Sequence, residues 1–388
     1  MSEITSGYIP SLKNKITKKL FGVVHLKTKR KKKGNALLSF ITVPFTFMPG
    51  KSWTDPHPNY FDCTVMANLY LERGYDVDII DWHNDTFIPK KKYAVCVDLR
   101  ENLERLSPLL GPECKKVMHT LSSHPKFQNE AEQKRIDALE KRRGIRFSMK
   151  RPEKFCENAK FADFIECCGN KSVIGTYGDL AEKIFRLPLP TAELYDFPKN
   201  KDFKVARNHF LWFGGGGAIL KGLDLAIEAF AKMPEYKITL AGPAPYEKEF
   251  EKAYEKELRL PNVKRYPRPV IHVGGNMVGD KKLEDVIKEC GAIIFPSASE
   301  GGGASVIQAM QAGVIPFVTS SSGISEEASN IIEPSIESIT AAVRKVASTD
   351  PAVLAKESYR AWQFACAEHS KEMYTKRLGD YIDKVLKL

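Results

Sequence analysis

The stretch Phe295-Pro-Ser-Ala-Ser-Glu300-Gly-Gly-Gly-Ala304-Ser-Val-Ile-Gln308-Ala-Met-Gln-Ala-Gly313-Val-Ile-Pro316 decides the fold. An apolar strand, Ala292 to Phe295, runs into a loop with one carboxylate and three glycines. A helix over Ala304 to Ala312 starts at once, and a second apolar strand follows from Ile315 to Thr319. In an open parallel sheet the loop at the carboxyl end of a strand faces the binding crevice. Glycines let a backbone approach a ligand closely, and a new helix offers free N–H groups and the positive end of its dipole to a phosphate. The stretch therefore predicts an anion-bearing ligand over Gly301, Gly302, Gly303 and Ala304, with Glu300 on its neutral, hydroxyl-rich part. Ser305-Val-Ile-Gln308 also has the spacing of a capping box.

Upstream, Trp212-Phe-Gly214-Gly-Gly-Gly217-Ala-Ile-Leu-Lys221-Gly222 follows the same logic. Strand Phe210 to Phe213 enters a glycine loop, and a helix over Leu223 to Lys232 leaves it. A lysine in the first turn of a helix opposes the macrodipole, so an anion held between them would explain Lys221. The next strand, Lys237 to Ala241, ends without the acid that a dinucleotide loop uses for a ribose, and Gly222 stands where a phosphate-binding loop has Ser or Thr. Helix Tyr246 to Glu257, a strand near Val270 to Val273, helix Leu283 to Glu289 and helical pattern from Pro351 to Leu388 complete this half.

The N-terminal half alternates in the same way. Strand Ala36 to Val43, helix Asp62 to Arg73, strands Val77 to Ile80, Tyr93 to Val97 and Lys116 to Met118, helix Gln128 to Arg143 and a late strand at Val173 to Ile174 make a second α/β unit. Candidate chemistry again follows strand ends: His119 and His124 in Met118-His119-Thr-Leu-Ser-Ser-His124, Asn59 in Pro58-Asn-Tyr, and His83 in Asp81-Trp-His83. Asp76-Val-Asp78 has the form of a metal-binding pair but overlaps an ordinary strand start, so no metal is expected. The Pro-containing segment Leu187 to Phe203 reads as a linker. The organisation is a basic amphipathic or disordered tail (1–33), an N-terminal α/β domain (34–190), a linker (191–206), a ligand-binding α/β domain (207–355) and C-terminal helices (356–388).

A length of 388 residues with 43% hydrophobic and 28% charged residues suits two soluble domains. Ten of the 59 basic residues and one of the 48 acidic ones lie within residues 1–33, which leaves the rest of the chain nearly neutral. Such concentrated charge describes a tail and not a nucleic-acid-binding surface. Leu12, Ile16, Leu20 and Val24 interleave with the lysines at helical spacing, which suits an anionic membrane surface as well as a solvated leader. The stretch Lys115 to Lys154 is a second basic candidate for the same partner. Eight cysteines without CxxC or zinc spacing read as reduced thiols. The longest apolar stretch, Ala36 to Met48, is broken by Pro44, too short to span a bilayer and unlike a secretory signal, so a cytoplasmic protein is expected.

The Glu300 to Pro316 segment, the glycine loop with Lys221-Gly222 and the strand-Gly242-Pro243 unit between them resemble the retaining glycosyltransferases of the GT-B fold, family 4, also called glycosyl transferases group 1. The resemblance is good over Phe210 to Thr319, weak over Ala36 to Gly178 and absent over the tail. It implies two Rossmann-like domains facing a cleft, with the last helix crossing back to the N-terminal domain. It implies that Glu300 binds hydroxyls of the donor sugar, that the backbone of Gly302 to Ala304, with Gly215, Gly216 and Lys221, holds the diphosphate, and that His124, or else His119, lies near the reacting sugar. Asn59 and His83 would line the acceptor side. Gln308 stands where the family has a ribose-binding Glu, and Gly216 where it has an Arg; an amide accepts a hydroxyl less strongly than a carboxylate. The expected activity is transfer of a sugar, with retention, from a nucleoside diphosphate sugar to a glycan or lipid-linked acceptor in surface polysaccharide or glycoconjugate synthesis. A UDP-sugar is the expected substrate, with no cofactor and no metal. The protein would sit in the cytoplasm, peripheral to the inner face of the membrane. A GT-B epimerase and a non-catalytic nucleotide-sugar-binding protein are the alternatives.

Overall fold

Apolar strands, most of them buried on both faces and leading into a helix, build two mainly parallel sheets, as the alternation in the sequence requires. The computed structural model describes residues 22–46, 58–190, 196–242, 246–267 and 281–387. The N-terminal domain comprises β1 (Val23–Leu26), β2 (Gly34–Phe40), α1 (Pro58–Glu72), β3 (Tyr75–Asp81), β4 (Val95–Asp98), α2 (Leu103–Leu110), β5 (Lys115–Thr120), α3 (Pro125–Arg143), β6 (Phe164–Cys167), α4 (Lys171–Gly175) and β7 (Ile184–Arg186). Its strand order is β1-β3-β2-β4-β5-β6-β7. Among the described strands only β1 runs antiparallel, with Val23 opposite Ile80 and Leu26 opposite Val77.

The C-terminal domain comprises α5 (Phe203–Ala206), β8 (His209–Phe213), α6 (Leu223–Ala231), β9 (Lys237–Gly242), α7 (Lys248–Ala253), α8 (Glu255–Leu258), β10 (Val263–Pro267), α9 (Lys281–Glu289), β11 (Ala292–Phe295), α10 (Ala304–Gln311), β12 (Ile315–Val318), β13 (Asn330–Ile331) and α11 (Ile336–Ser348). The order β10-β9-β8-β11-β12-β13 is the doubly wound arrangement. Its order reverses between β8 and β11, and in the N-terminal sheet between β2 and β4. The loops after these strands therefore flank crevices that face one another, which is the GT-B architecture.

Helix α3 ties the domains together. Its Ile136 and Leu139, with Phe147 beyond it, are buried in the core of the C-terminal domain. Arg142 pairs with Asp224 at 2.7 Å and Glu228 at 2.8 Å, and Arg143 pairs with Glu257 at 2.6 Å. Helices α12 (Pro351–Glu368) and α13 (Lys371–Lys387) follow, and α13 buries Tyr374, Leu378, Tyr381, Ile382 and Val385 in the N-terminal core. Arg73 on the loop after α1 holds Asp383 at 2.7 Å. The predicted return of the last helix is thus present.

Several expectations change. The tail does not reach residue 33: Val24 is fully buried in β1, and Lys27 to Lys33 form an exposed loop between β1 and β2. Residues 1–21, with Leu12, Ile16 and Leu20, lie outside the described residues. Val173 and Ile174 belong to α4, started by the Asn170 side chain accepting from Val173 N at 3.0 Å, and the last strand is β7. Tyr246 to Glu257 breaks into α7 and α8 at Tyr254. The strand near Val270 to Val273 lies outside the described residues, as do 191–195 of the linker, while Leu187 is part of the N-terminal core.

The domains approach closely at Gly301, where an added Cβ would stand 1.7 Å from the carbonyl oxygen of Leu121. Gly301→Ala is expected to lower stability by about 1–3 kcal/mol through overpacking. At Gly216 an added Cβ would meet only Glu247, at 3.9 Å, so Gly216→Ala should melt close to the unsubstituted protein. Scanning calorimetry of both variants checks the pair; equal melting temperatures would contradict the close approach of the domains.

Candidate active site

The C-terminal crevice is built by the loops after β8 and β11. Lys221 and Glu300 meet there in an ion pair whose side chains are only 12% and 18% exposed. Glu300 is firmly placed: its N–H donates to Ser321 O at 3.0 Å, and its carbonyl accepts from Ser123 Oγ of the other domain at 2.9 Å. Gly303, at φ 57°, caps α10. The first N–H groups of a helix have no intrahelical partner, and Ala304, the first residue of α10, lines a cavity of about 360 Å³ between the domains. The Lys221–Glu300 pair thus stands beside the N-terminus of α10, and of these three only Ala304 lines the cavity itself.

The glycines serve a purpose the sequence reading did not foresee. Gly301 is pressed against Leu121, and a Cβ on Gly302 would stand 2.7 Å from Leu189 Cδ1. Their smallness lets the domains close as well as exposing backbone. Lys221 is not in a first helical turn; α6 begins at Leu223 behind the cap residue Gly222, and Glu300 answers the lysine's charge. In the glycine loop, Gly217 N and Ala218 N already donate to the Glu247 carboxylate at 2.6 and 3.3 Å. Gly215 and Gly216 remain exposed. No capping box forms, because Gly303 is the cap and Ser305 Oγ donates to Phe213 O at 2.7 Å. Gln308 lies half-buried in the second turn of α10.

Across the cavity stand His124 and Asn59. His124 caps α3, its Nδ1 accepting from Lys126 N at 3.3 Å. That bond assigns the proton of the neutral ring to Nε2, and burial together with nearby Lys126 pushes the pKa down. His119 lies elsewhere. It is buried between Asp62, 2.7 Å from Nε2, and Glu166, 2.9 Å from Nδ1. Burial alone would lower its pKa, but the two carboxylates outweigh it and raise it to about 10. Tyr374 of α13 donates to the same Asp62, so His119 anchors the returning helix and does not face the cleft. His83 stacks on Trp82 at 3.6 Å between ring centroids and lines an adjoining cavity of about 580 Å³. Asp76 holds Lys32 and Asp78 holds Lys91, which accounts for both acids of the apparent metal pair.

Two residues of this site escaped the sequence reading. Arg151 lines the cavity and its Cγ would be 2.8 Å from a Cβ added to Gly217. Its backbone is clamped from α3: its N–H donates to Glu132 at 3.1 Å and its carbonyl accepts from Gln128 Nε2 at 2.9 Å. Glu132 and Gln128 are themselves buried. Glu247 is the other. The available signal was two polar side chains, Gln128 and Glu132, one turn apart on a helix whose apolar positions they share.

Residues 200–360 match the family described as Glycosyl transferases group 1. None of the curated protein sequences matches the chain. Among solved structures, a sucrose-phosphate synthase from Thermosynechococcus elongatus is 13% identical, with a TM-score of 0.60 over 92% of this chain and 100% of that one. A glycosyltransferase from Rickettsia africae is 11% identical, with a TM-score of 0.57 over 92% and 100%. The Anabaena protein HepE, solved with UDP and glucose, is 11% identical, with a TM-score of 0.56 over 90% and 99%. Among the described residues no helix is long and apolar enough to cross a membrane.

Proposed function

We propose that this chain, a glycosyltransferase of GT-B fold whose residues 200–360 form a glycosyl transferases group 1 domain, moves a sugar with retention from a UDP-sugar to a glycan or lipid-linked acceptor. The observation that carries the reading is the Lys221–Glu300 pair at the N-terminus of α10, in the crevice where the strand order reverses. The UDP held by the Anabaena neighbour supports a uridine nucleotide.

In this reading the arriving diphosphate takes Lys221 from Glu300, and the released carboxylate accepts hydroxyl hydrogens of the sugar. Lys221, the N–H groups that open α10 and Arg151 of the facing domain then stabilise the departing diphosphate, the oriented positive charge that such a leaving group requires. Arg151 supplies the second cation that Gly216 cannot; among the described residues no carboxylate pairs with its guanidinium. His124 donates from Nε2 to the sugar, and Asn59 belongs to the acceptor side. The acceptor hydroxyl attacks on the face the diphosphate leaves, the sugar–diphosphate bond breaks and the hydroxyl proton passes to the departing diphosphate.

Peripheral membrane contact is the second part of the reading. Lys27, Lys29 and Arg30 to Lys33 in the β1–β2 loop lie exposed beside Lys90 to Lys92 before β4, at the N-terminal ends of neighbouring strands β2 and β4. The cleft opens at the opposite ends of these strands, so docking by this face on an anionic membrane leaves it free.

Glu300→Gln is expected to cut transfer roughly 100-fold, in line with the loss of a single transition-state contact, while UDP binds as well or better because Lys221 is freed. Activity within a few-fold of the unsubstituted enzyme would sink the assignment. Lys221→Ala and Arg151→Ala should each weaken UDP at least about tenfold, as for a lost charge-assisted contact of ~1.5–3 kcal/mol, and leave uridine nearly unaffected. Calorimetric titration with both ligands reads this; equal losses for the two would show that neither side chain meets the diphosphate. Replacing Lys29, Arg30 and Lys31 by Glu should reduce sedimentation with vesicles containing phosphatidylserine, each cation being worth about 1 kcal/mol near such a surface. Unchanged sedimentation would remove the basic face from the account.

A further inference from the structure

Beside the cleft lies a second cavity of about 580 Å³, lined by Trp82, His83, Phe155 and the carboxylates of Asp85, Glu101 and Glu104. It shares Glu101, Lys154 and Cys156 with the central cavity. The His124 ring stands edge-on to Phe155, with ring centroids 6.3 Å apart, so the aromatic wall runs on from the proposed transfer site. Phe155 is 57% exposed, and the fold gains little from an aromatic ring left in water.

The trough is pre-organised. The Arg100 guanidinium lies 4.8 Å from the centroid of Trp82 and is held by Glu153 at 2.6 Å. The loop carrying Arg100 and Glu101 is pinned by the buried Asp98 carboxylate, which accepts from Asn102 N at 2.9 Å and Leu103 N at 3.1 Å. Both cations of the trough are occupied: Lys154 by Glu101 at 2.7 Å, and Arg105 by the carbonyls of Phe87 at 2.7 Å and Asn84 at 3.2 Å. Each ionised carboxylate keeps acceptor sites beyond those bonds. Three carboxylates against two committed cations disfavour a polyanion.

We infer that this trough is a second saccharide subsite, in which an uncharged pyranose next along the acceptor lays its apolar face on the exposed Phe155 ring and gives its hydroxyl hydrogens to the carboxylates. Aromatic faces pair with C–H groups, and a volume of this order suits a small polar ligand. The inference rests on the glycosyltransferase reading for its context and narrows the acceptor to a neutral oligosaccharide, with the reacting sugar near His124 and its neighbour against Phe155.

The test is direct binding without nucleotide. The full chain is titrated by ligand-observed saturation-transfer NMR with neutral mono- to tetrasaccharides of gluco, galacto and manno configuration, and with sulfated counterparts. At least one neutral series should bind about tenfold more tightly as a di- or trisaccharide than as a monosaccharide. Phe155→Ala should remove most of that gain, about three- to tenfold, while a parallel UDP titration serves as the folding control. No binding by any neutral series, equal binding by Phe155→Ala, or preference for the sulfated sugars would overturn the subsite. Should the unsubstituted chain fail to bind UDP while the Phe155-dependent saccharide binding persists, the donor reading falls and the subsite stands.

Discussion

Helix α3 is the constraint on which the site depends. One end carries His124 at the cleft, and the other is locked into the C-terminal domain by Ile136 and Leu139 in its core and by Arg142 between Asp224 and Glu228. A helix so anchored fixes the distance between the crevices of two sheets that could otherwise drift, since contacts between domains are commonly small and mobile. The Gly301–Leu121 approach, the Ser123–Glu300 hydrogen bond and the two bonds from Asn170 to Ser320 and Ile324 all fall within the reach that α3 sets. The buried cluster of His119, Asp62, Glu166 and Tyr374 does the same from the other side by fastening α13 to the N-terminal domain.

Within that frame the proposed function has the charges of the Lys221–Glu300 pair exchanged. A half-buried ammonium and carboxylate stabilise each other at little net cost or gain, which leaves the pair ready to be divided between the anionic and the hydroxylic parts of one ligand. Glu247 keeps the inner N–H groups of the glycine loop satisfied, so only the outer glycines and the start of α10 remain open to a ligand. In the proposed reading the positive charge of Arg151 comes from the facing domain, which would couple nucleotide binding to the relation between the domains.

The C-terminal domain was readable because its strands are short apolar runs with glycine punctuation, and the Glu300 loop carries its chemistry within ten residues. The N-terminal domain was harder for physical reasons that can be named. Val23 and Val24 look like part of a basic leader until Ile79 and Ile80 of β3 are placed beside them. Ile136 and Leu139 look like sparse apolar positions on a polar helix, because the surface they cover belongs to another domain. His119 and His124, five residues apart on one strand-loop, differ only in what three distant residues, Asp62, Glu166 and Tyr374, do around the first. Local pattern located the loops after β8 and β11; the partners that decide which side chains are buried or available were distant in sequence.

The central claim is that the Lys221–Glu300 pair opens to receive a nucleoside diphosphate between the two domains. A crystal structure of the chain with UDP tests it most directly. The account predicts the diphosphate within hydrogen-bonding distance of Lys221 Nζ, the Ala304 N–H and the Arg151 guanidinium, with Glu300 no longer bonded to Lys221. UDP bound elsewhere, or bound with the Lys221–Glu300 pair intact, would contradict it.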